Sequence, residues 1–176
     1  METLSQRLAR GDKTAFTELY DACADRCHHY LAARLGSRDA ADEVLQETFL
    51  RLVRKRHRLA GVGNLTAFVF TIARNEACRY AARRARALGR QAPLAADDLF
   101  LEAKSDDPAA REMADLVSTA LGALNPDQRE VVQLKIYGGL TFREIAEVTG
   151  VPLPTAATRY RTALEHLRAW LARQLS

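Results

Sequence analysis

The residues best suited to chemistry lie near the end of the chain. Thr155, Ala157, Thr158, Arg159 and Arg161 share the outward side of a helical segment after Pro152-Leu-Pro154. Arginine pairs bidentately with guanine or grips phosphate, and threonine contacts either. A second set is a charge block. Residues 74–90 carry six arginines and one glutamate, far more cation than a helix end needs to complement its own dipole. A third set is Cys23, Cys27 and His28, whose four-residue spacing puts both thiols on one helix face, where a metal or redox centre could form. Both cysteines also fall on an apolar stripe, where cysteine usually serves as a small hydrophobe. No serine–histidine–acid set, glycine-rich phosphate loop or pair of catalytic carboxylates stands out. The expectation is therefore a non-enzyme with no cofactor and no bound metal.

Helices must position these groups. In the N-terminal part, Asp12 or Thr14 can cap a helix whose apolar stripe is Phe16, Leu19, Tyr20, Cys23, Cys27, Tyr30 and Leu31. Gly36 ends it and Ser37 caps the next, which buries Ala41, Val44, Leu45, Thr48 and Leu52. Gly61-Val-Gly-Asn64 breaks the pattern before a third helix over 65–87. The C-terminal part reads as helices over 115–124 and 126–137, the second starting at Asn125-Pro126. Thr141 and Glu144 then form a capping box, and the short helix after it ends at Gly150. A last helix follows, with Ala156, Tyr160, Ala163, Leu164, Leu167 and Leu171 facing inward. No segment alternates as a strand does. Short helix, glycine turn, second helix is a helix-turn-helix pattern, in which the second helix enters the major groove.

Charge divides the chain. Its 176 residues have a net charge of only +4, so distribution matters more than the sum. Residues 91–115 carry seven acids and two bases, whereas residues 129–176 carry a net of +3. The acidic stretch holds Pro93 and Pro108, has no sustained period, and reads as a flexible linker. The expected fold class is all-α: two small helical domains, over 1–90 and 115–176, joined by an acidic flexible linker over 91–114. No apolar run approaches the ~20 residues that span a bilayer, so direct membrane insertion is not expected. The first thirteen residues do not read as a secretory signal. Three cysteines without zinc-finger spacing suit a reducing, cytoplasmic compartment. On these features alone, a helix-turn-helix regulator with an N-terminal sensing domain remains an alternative.

Three longer stretches resemble a known family, the bacterial sigma factors of the extracytoplasmic-function (ECF) group in the sigma-70 class. Asp39-Ala-Ala-Asp-Glu-Val-Leu-Gln-Glu-Thr-Phe-Leu-Arg-Leu52 is similar to the family's core-polymerase-binding helix. Phe70-Thr-Ile-Ala-Arg-Asn-Glu-Ala77, with the arginines after it, is similar to the segment that melts promoters and reads the −10 element. Leu124-Asn-Pro-Asp-Gln-Arg-Glu-Val131, with Leu140 to Ala146 and Val151 to Leu167, is similar to the −35-reading domain.

The resemblance implies site residues. Asp39, Asp42, Glu43, Gln46 and Glu47, with Phe49 or Leu50 as apolar anchor, would dock on the largest subunits of core RNA polymerase. Arg74, Asn75, Arg79, Arg83, Arg84 and Arg86 would bind −10 DNA. Thr141, Arg143, Thr155, Ala157, Thr158, Arg159 and Arg161 would bind −35 DNA. Core RNA polymerase and promoter DNA are thus the implied partners. An anti-sigma factor is a further candidate, because the family commonly uses one. The sequence departs from the family pattern at Arg79, where aspartate is common, and at Ala67-Phe68, where a tryptophan often stands. Pro154-Thr-Ala-Ala-Thr-Arg159 replaces a segment that often carries lysine, which removes one phosphate contact.

Overall fold

Short polar caps set the helix starts in this computed structural model, which describes residues 1–89 and 106–176. Helix α1 (Leu4–Ala9) begins at a Thr3/Gln6 capping box and contributes Leu8, fully enclosed, to the core. Asp12 accepts the Thr14 and Ala15 amides to start α2 (Lys13–Leu35). Gly36, at φ 67°, takes the left-handed conformation that ends α2. Ser37 then caps α3 (Arg38–Arg54) and Asn64 caps α4 (Leu65–Ala87). A 3-10 turn (Arg56–Gly61) between them packs on α1. Helices α2, α3 and α4 pack against one another as a bundle.

The C-terminal unit contains α5 (Pro108–Gly122), α6 (Pro126–Val132), α7 (Phe142–Thr149) and α8 (Leu153–Gln174). Helix α6 runs on as a π turn (Gln133–Tyr137), so the expected helix over 126–137 is present with one altered turn. Thr141 and Glu144 form both bonds of the expected capping box, and Gly150, at φ 72°, closes α7. No strand occurs among the described residues, and the all-α expectation holds.

Two expectations need correction. The helix expected over 115–124 begins seven residues earlier, at Pro108. Asp107 accepts the Ala109 amide, and proline follows at the first helical position. Residues 108–114, read from the sequence as tether, are therefore the first turns of α5. Of the remaining tether residues, 91–105 lie outside the described residues. Tyr20, placed on the buried stripe from its spacing, is instead 48% exposed. It lies on the side of α2 facing Phe49 of α3, with ring centroids 4.9 Å apart.

The main core crosses from one unit to the other. Tyr30, Leu31, Phe70 and Ala73 of the N-terminal bundle share one buried cluster with Val131, Leu134, Leu140, Ile145 and Ala156. A smaller cluster inside the C-terminal unit joins Leu121, Leu124, Val132 and Ala163. Arg129 braces the α5–α6 corner, donating to the carbonyls of Leu121, Gly122 and Leu124 at 3.0–3.1 Å. Those carbonyls lie at and just past the end of α5, where intrahelical donors run out.

The acidic residues around 97–107 should be replaceable. Asp97→Asn, Asp98→Asn, Asp106→Asn and Asp107→Asn together should leave helicity and the urea midpoint unchanged. Asparagine caps a helix as well as aspartate does, and the exposed Asp106–Arg111 pair at 3.6 Å contributes little. Circular dichroism and urea melts check this, and global unfolding would make the segment part of a packed domain. Non-specific DNA binding should rise as repulsion from phosphates falls.

Candidate nucleic-acid and partner interfaces

Helices α2 and α3 leave an apolar groove of about 430 Å³ open to solvent. Tyr20, Leu45, Phe49, Leu50 and Val53 line it, with Asp42 and Gln46 at its edge. The α3 positions recur at three and four residues, so one face carries them all. Leu50 is 43% and Val53 41% exposed, unusual for two aliphatic side chains so close together. The structure thus brings together Asp42, Gln46, Phe49 and Leu50 of the expected docking set. Glu43 and Glu47 line a neighbouring polar depression with Arg51, Glu76 and Arg83. Asp39 is exposed in the first turn of α3 and lines neither. The sequence reading missed Tyr20 and Val53. Asp42 also receives His28, whose Nε2 lies 2.7 Å from its carboxylate.

Along α4 the expected DNA-facing residues divide. Asn75, Arg83, Arg84 and Arg86 are exposed. Arg79 pairs with Glu76, a glutamate only 2% exposed that also meets Arg51 at 2.6 Å. Arg74 points into the seam between the units, where Glu130 of α6 accepts from both its Nε and its Nη2. These hydrogen bonds hold the Arg74 guanidinium above its ordinary pKa. No local pattern announces that pairing, because Glu130 lies 56 positions away.

Helices α7 and α8 form the helix-turn-helix. Ala156 is fully buried and Tyr160 meets Phe142 with ring centroids 5.5 Å apart, which fixes the α8 register. Arg143, Thr158 and Arg161 are exposed, while Thr155, Ala157 and Arg159 are half-buried. The Arg159 guanidinium reaches Asp127 at 3.2 Å. Thr141 is exposed, but its hydroxyl serves the α7 cap. Lys135, absent from the expected set, places its ammonium 4.7 Å from the centroid of the Phe142 ring and donates to the Leu140 carbonyl.

Cys23 and Cys27 are enclosed, and burial pushes both thiols above their ordinary pKa. His28 turns toward Asp42 instead. No three His, Cys, Asp or Glu side chains converge as metal ligands among the described residues. Nor is any described helix long and apolar enough to cross a membrane.

The sequence comparisons agree with this layout. Residues 19–87 match the family model for sigma-70 region 2, and residues 114–167 match that for sigma-70 region 4. The ECF RNA polymerase sigma factor SigK of Mycobacterium ulcerans is 30% identical, over 96% of this chain and 91% of that protein. The chain belongs to the ECF sigma factors. RpoE of Cereibacter sphaeroides, another ECF sigma factor, is 29% identical to it over 89% of this chain and 86% of that one. Among solved structures, CnrH in complex with the cytosolic domain of CnrY has a TM-score of 0.73 at 23% identity, covering 97% of the sigma factor and 96% of that chain. The sigma factor RpoE of Bartonella quintana, in complex with the anti-sigma factor NepR, gives 0.66 at 24%, covering 91% and 96%. These likenesses carry the fold. The region 2 match leaves the alternative of an unrelated N-terminal sensing domain without support.

Proposed function

We propose that this sigma factor docks on core RNA polymerase through the α2/α3 groove and reads promoter DNA with α4 and the α7/α8 pair. The groove carries the reading: an exposed apolar cleft edged by Asp42 and Gln46 is what a mostly helical, basic partner surface would fit. Leu50 and Phe49 supply the anchor. Asn75, Arg79, Arg83, Arg84 and Arg86 form a cationic track suited to a displaced strand. Thr158, Arg159 and Arg161 stand at the start of the recognition helix, which the groove geometry of this motif puts against base edges and phosphates. The unit over 1–90 then serves polymerase and the −10 element, and the C-terminal unit serves the −35 element. The protein acts without catalysis of its own, in the cytoplasm, and an anti-sigma factor is a suitable inhibitor. Promoter-dependent transcription with core polymerase, with and without this chain, tests the reading; no promoter-specific transcript would overturn it.

Arg159 gives a finer test. Among the described residues its guanidinium pairs with the exposed Asp127, a partner it can exchange for phosphate. Arg159→Ala should weaken duplex binding about equally on all sequences and reduce the salt slope by about 1. A salt series of titrations, wild type against variant, checks this. A loss confined to one base position would make the contact a base contact instead.

A further inference from the structure

The Glu76 side chain is 2% exposed and sits between two guanidinium groups that engage it differently. Arg79, one turn further along α4, donates from Nη1 to Oε1. Arg51 of α3 brings its Nε to 2.6 Å from the same oxygen. That N–H is not aligned on the oxygen, for Arg51 Nε is enclosed and has no hydrogen-bond partner among the described residues. The two arginines also differ in exposure: the Arg79 side chain is 50% exposed and the Arg51 side chain 30%. The other acid near Arg51, Glu47, lies 3.9 Å from its Nη2 and is also reached by Arg54 at 3.4 Å. Arg83, one turn past Arg79 on the same cationic track, lines the depression that Arg51 and Glu76 share.

An ionised carboxylate enclosed without a partner loses far more than one exposed phosphate contact gains. Arg79 therefore cannot leave Glu76 for a DNA phosphate unless another cation takes its place. We propose that Arg51 is a positioning residue for DNA binding: it takes over the Glu76 carboxylate when Arg79 exchanges that carboxylate for a phosphate. The move is small. Arg51 Nε already stands at contact distance, so turning the carboxylate or the guanidinium completes the bond. The exchange also pairs an enclosed N–H that has no acceptor in the free chain, which offsets part of the loss of the Arg79 bond. Arg51, Glu76 and Arg79 all lie on α3 and α4, so the exchange is local to the N-terminal bundle. The proposal rests on the assignment of Arg79 to DNA.

The test titrates the full chain with a labelled single-stranded oligothymidine, read by fluorescence anisotropy at several low salt concentrations. For single strands the slope of log affinity against log salt changes by about 0.7 for each phosphate contact. Arg79→Ala should flatten the slope by that amount, and Glu76 keeps Arg51 as its partner in this variant. Arg51→Met should flatten it equally, although Arg51 is not among the proposed DNA contacts, because Arg79 then stays on Glu76. In a Glu76→Gln background the same Arg51→Met change should leave slope and affinity where that background has them, since a neutral amide does not hold Arg79 back. Simple loss of a cation, or a loosened bundle, would weaken both backgrounds alike, and that result overturns the proposal. So does an Arg51→Met chain that binds like wild type. Circular dichroism verifies that each variant remains helical. If Arg51→Met does not fold, Arg51→Gln in the same two backgrounds decides; failure of both to fold makes Arg51 structural and overturns the positioning role. A wild type without affinity for the probe, or Arg79→Ala equal to wild type, overturns the assignment of Arg79 to DNA and the exchange with it. A flattened slope in Arg79→Ala with equal Arg51→Met effects in both backgrounds sinks only the exchange.

Discussion

Phe70→Ala should lower the unfolding free energy by about 3–5 kcal/mol, the cost of emptying a large aromatic site in a packed core. Phe70 is fully buried where α2, α4 and the C-terminal unit meet. Its ring centroid lies 5.7 Å from that of Tyr30 and 6.0 Å from the Arg26 guanidinium carbon. Gly138 closes over it: a Cβ there would stand 2.9 Å from a Phe70 ring carbon. That closeness leaves no slack, so the surroundings cannot collapse into the cavity without moving a backbone segment. Urea unfolding measures the loss. Phe70→Leu, which keeps much of the volume, should cost clearly less. A loss under about 1 kcal/mol for Phe70→Ala would mean that the two units do not share this core in solution.

Leu50→Asp should weaken binding to core RNA polymerase by roughly 30-fold or more, the scale of losing an interface anchor worth about 2 kcal/mol. The effect on folding should be small, because Leu50 is 43% exposed. Thermal unfolding of the free variant should match wild type within about 0.5 kcal/mol. A charge placed at this anchor replaces an apolar contact and must be desolvated on docking. The edge variant Asp42→Arg with Gln46→Ala should weaken the complex too, with helicity and melting little changed. Titration of labelled core polymerase reads both. Affinity equal to wild type in both variants would place docking elsewhere.

Much of this architecture was legible because the helix boundaries are written locally. Asn64, Ser37, Gly36 and the Thr141/Glu144 box each act within four residues, and α4 begins and ends where the sequence predicts. Helix α1 escaped notice because six residues are too few to show a period. The start of α5 was misread because Asp-Pro signals a loop as readily as a capped helix start. The seam was the least legible feature. Gln128, Arg129, Glu130 and Gln133 are polar, which from spacing alone argues for a solvated face, yet all four are buried. Their partners include Ala33, Arg34, Arg74 and the carbonyls that end α5, and the inter-unit partners lie 56 to 100 positions away. Charge patterning marked the acidic stretch between the two units but carried no sign that they touch.

The unequal burial of the three cysteines has a practical consequence. Cys23 and Cys27 are closed off and held as thiols by burial, so electrophiles have neither access nor a thiolate to attack. Cys78 is exposed, and Arg34 Nη2 lies 3.4 Å from its sulfur, at the rim of the contact between the units. The native chain therefore carries one addressable thiol, located where the units meet. A maleimide dye attached there would sit against the seam without any engineered cysteine, turning the unmodified sequence into its own reporter of domain separation.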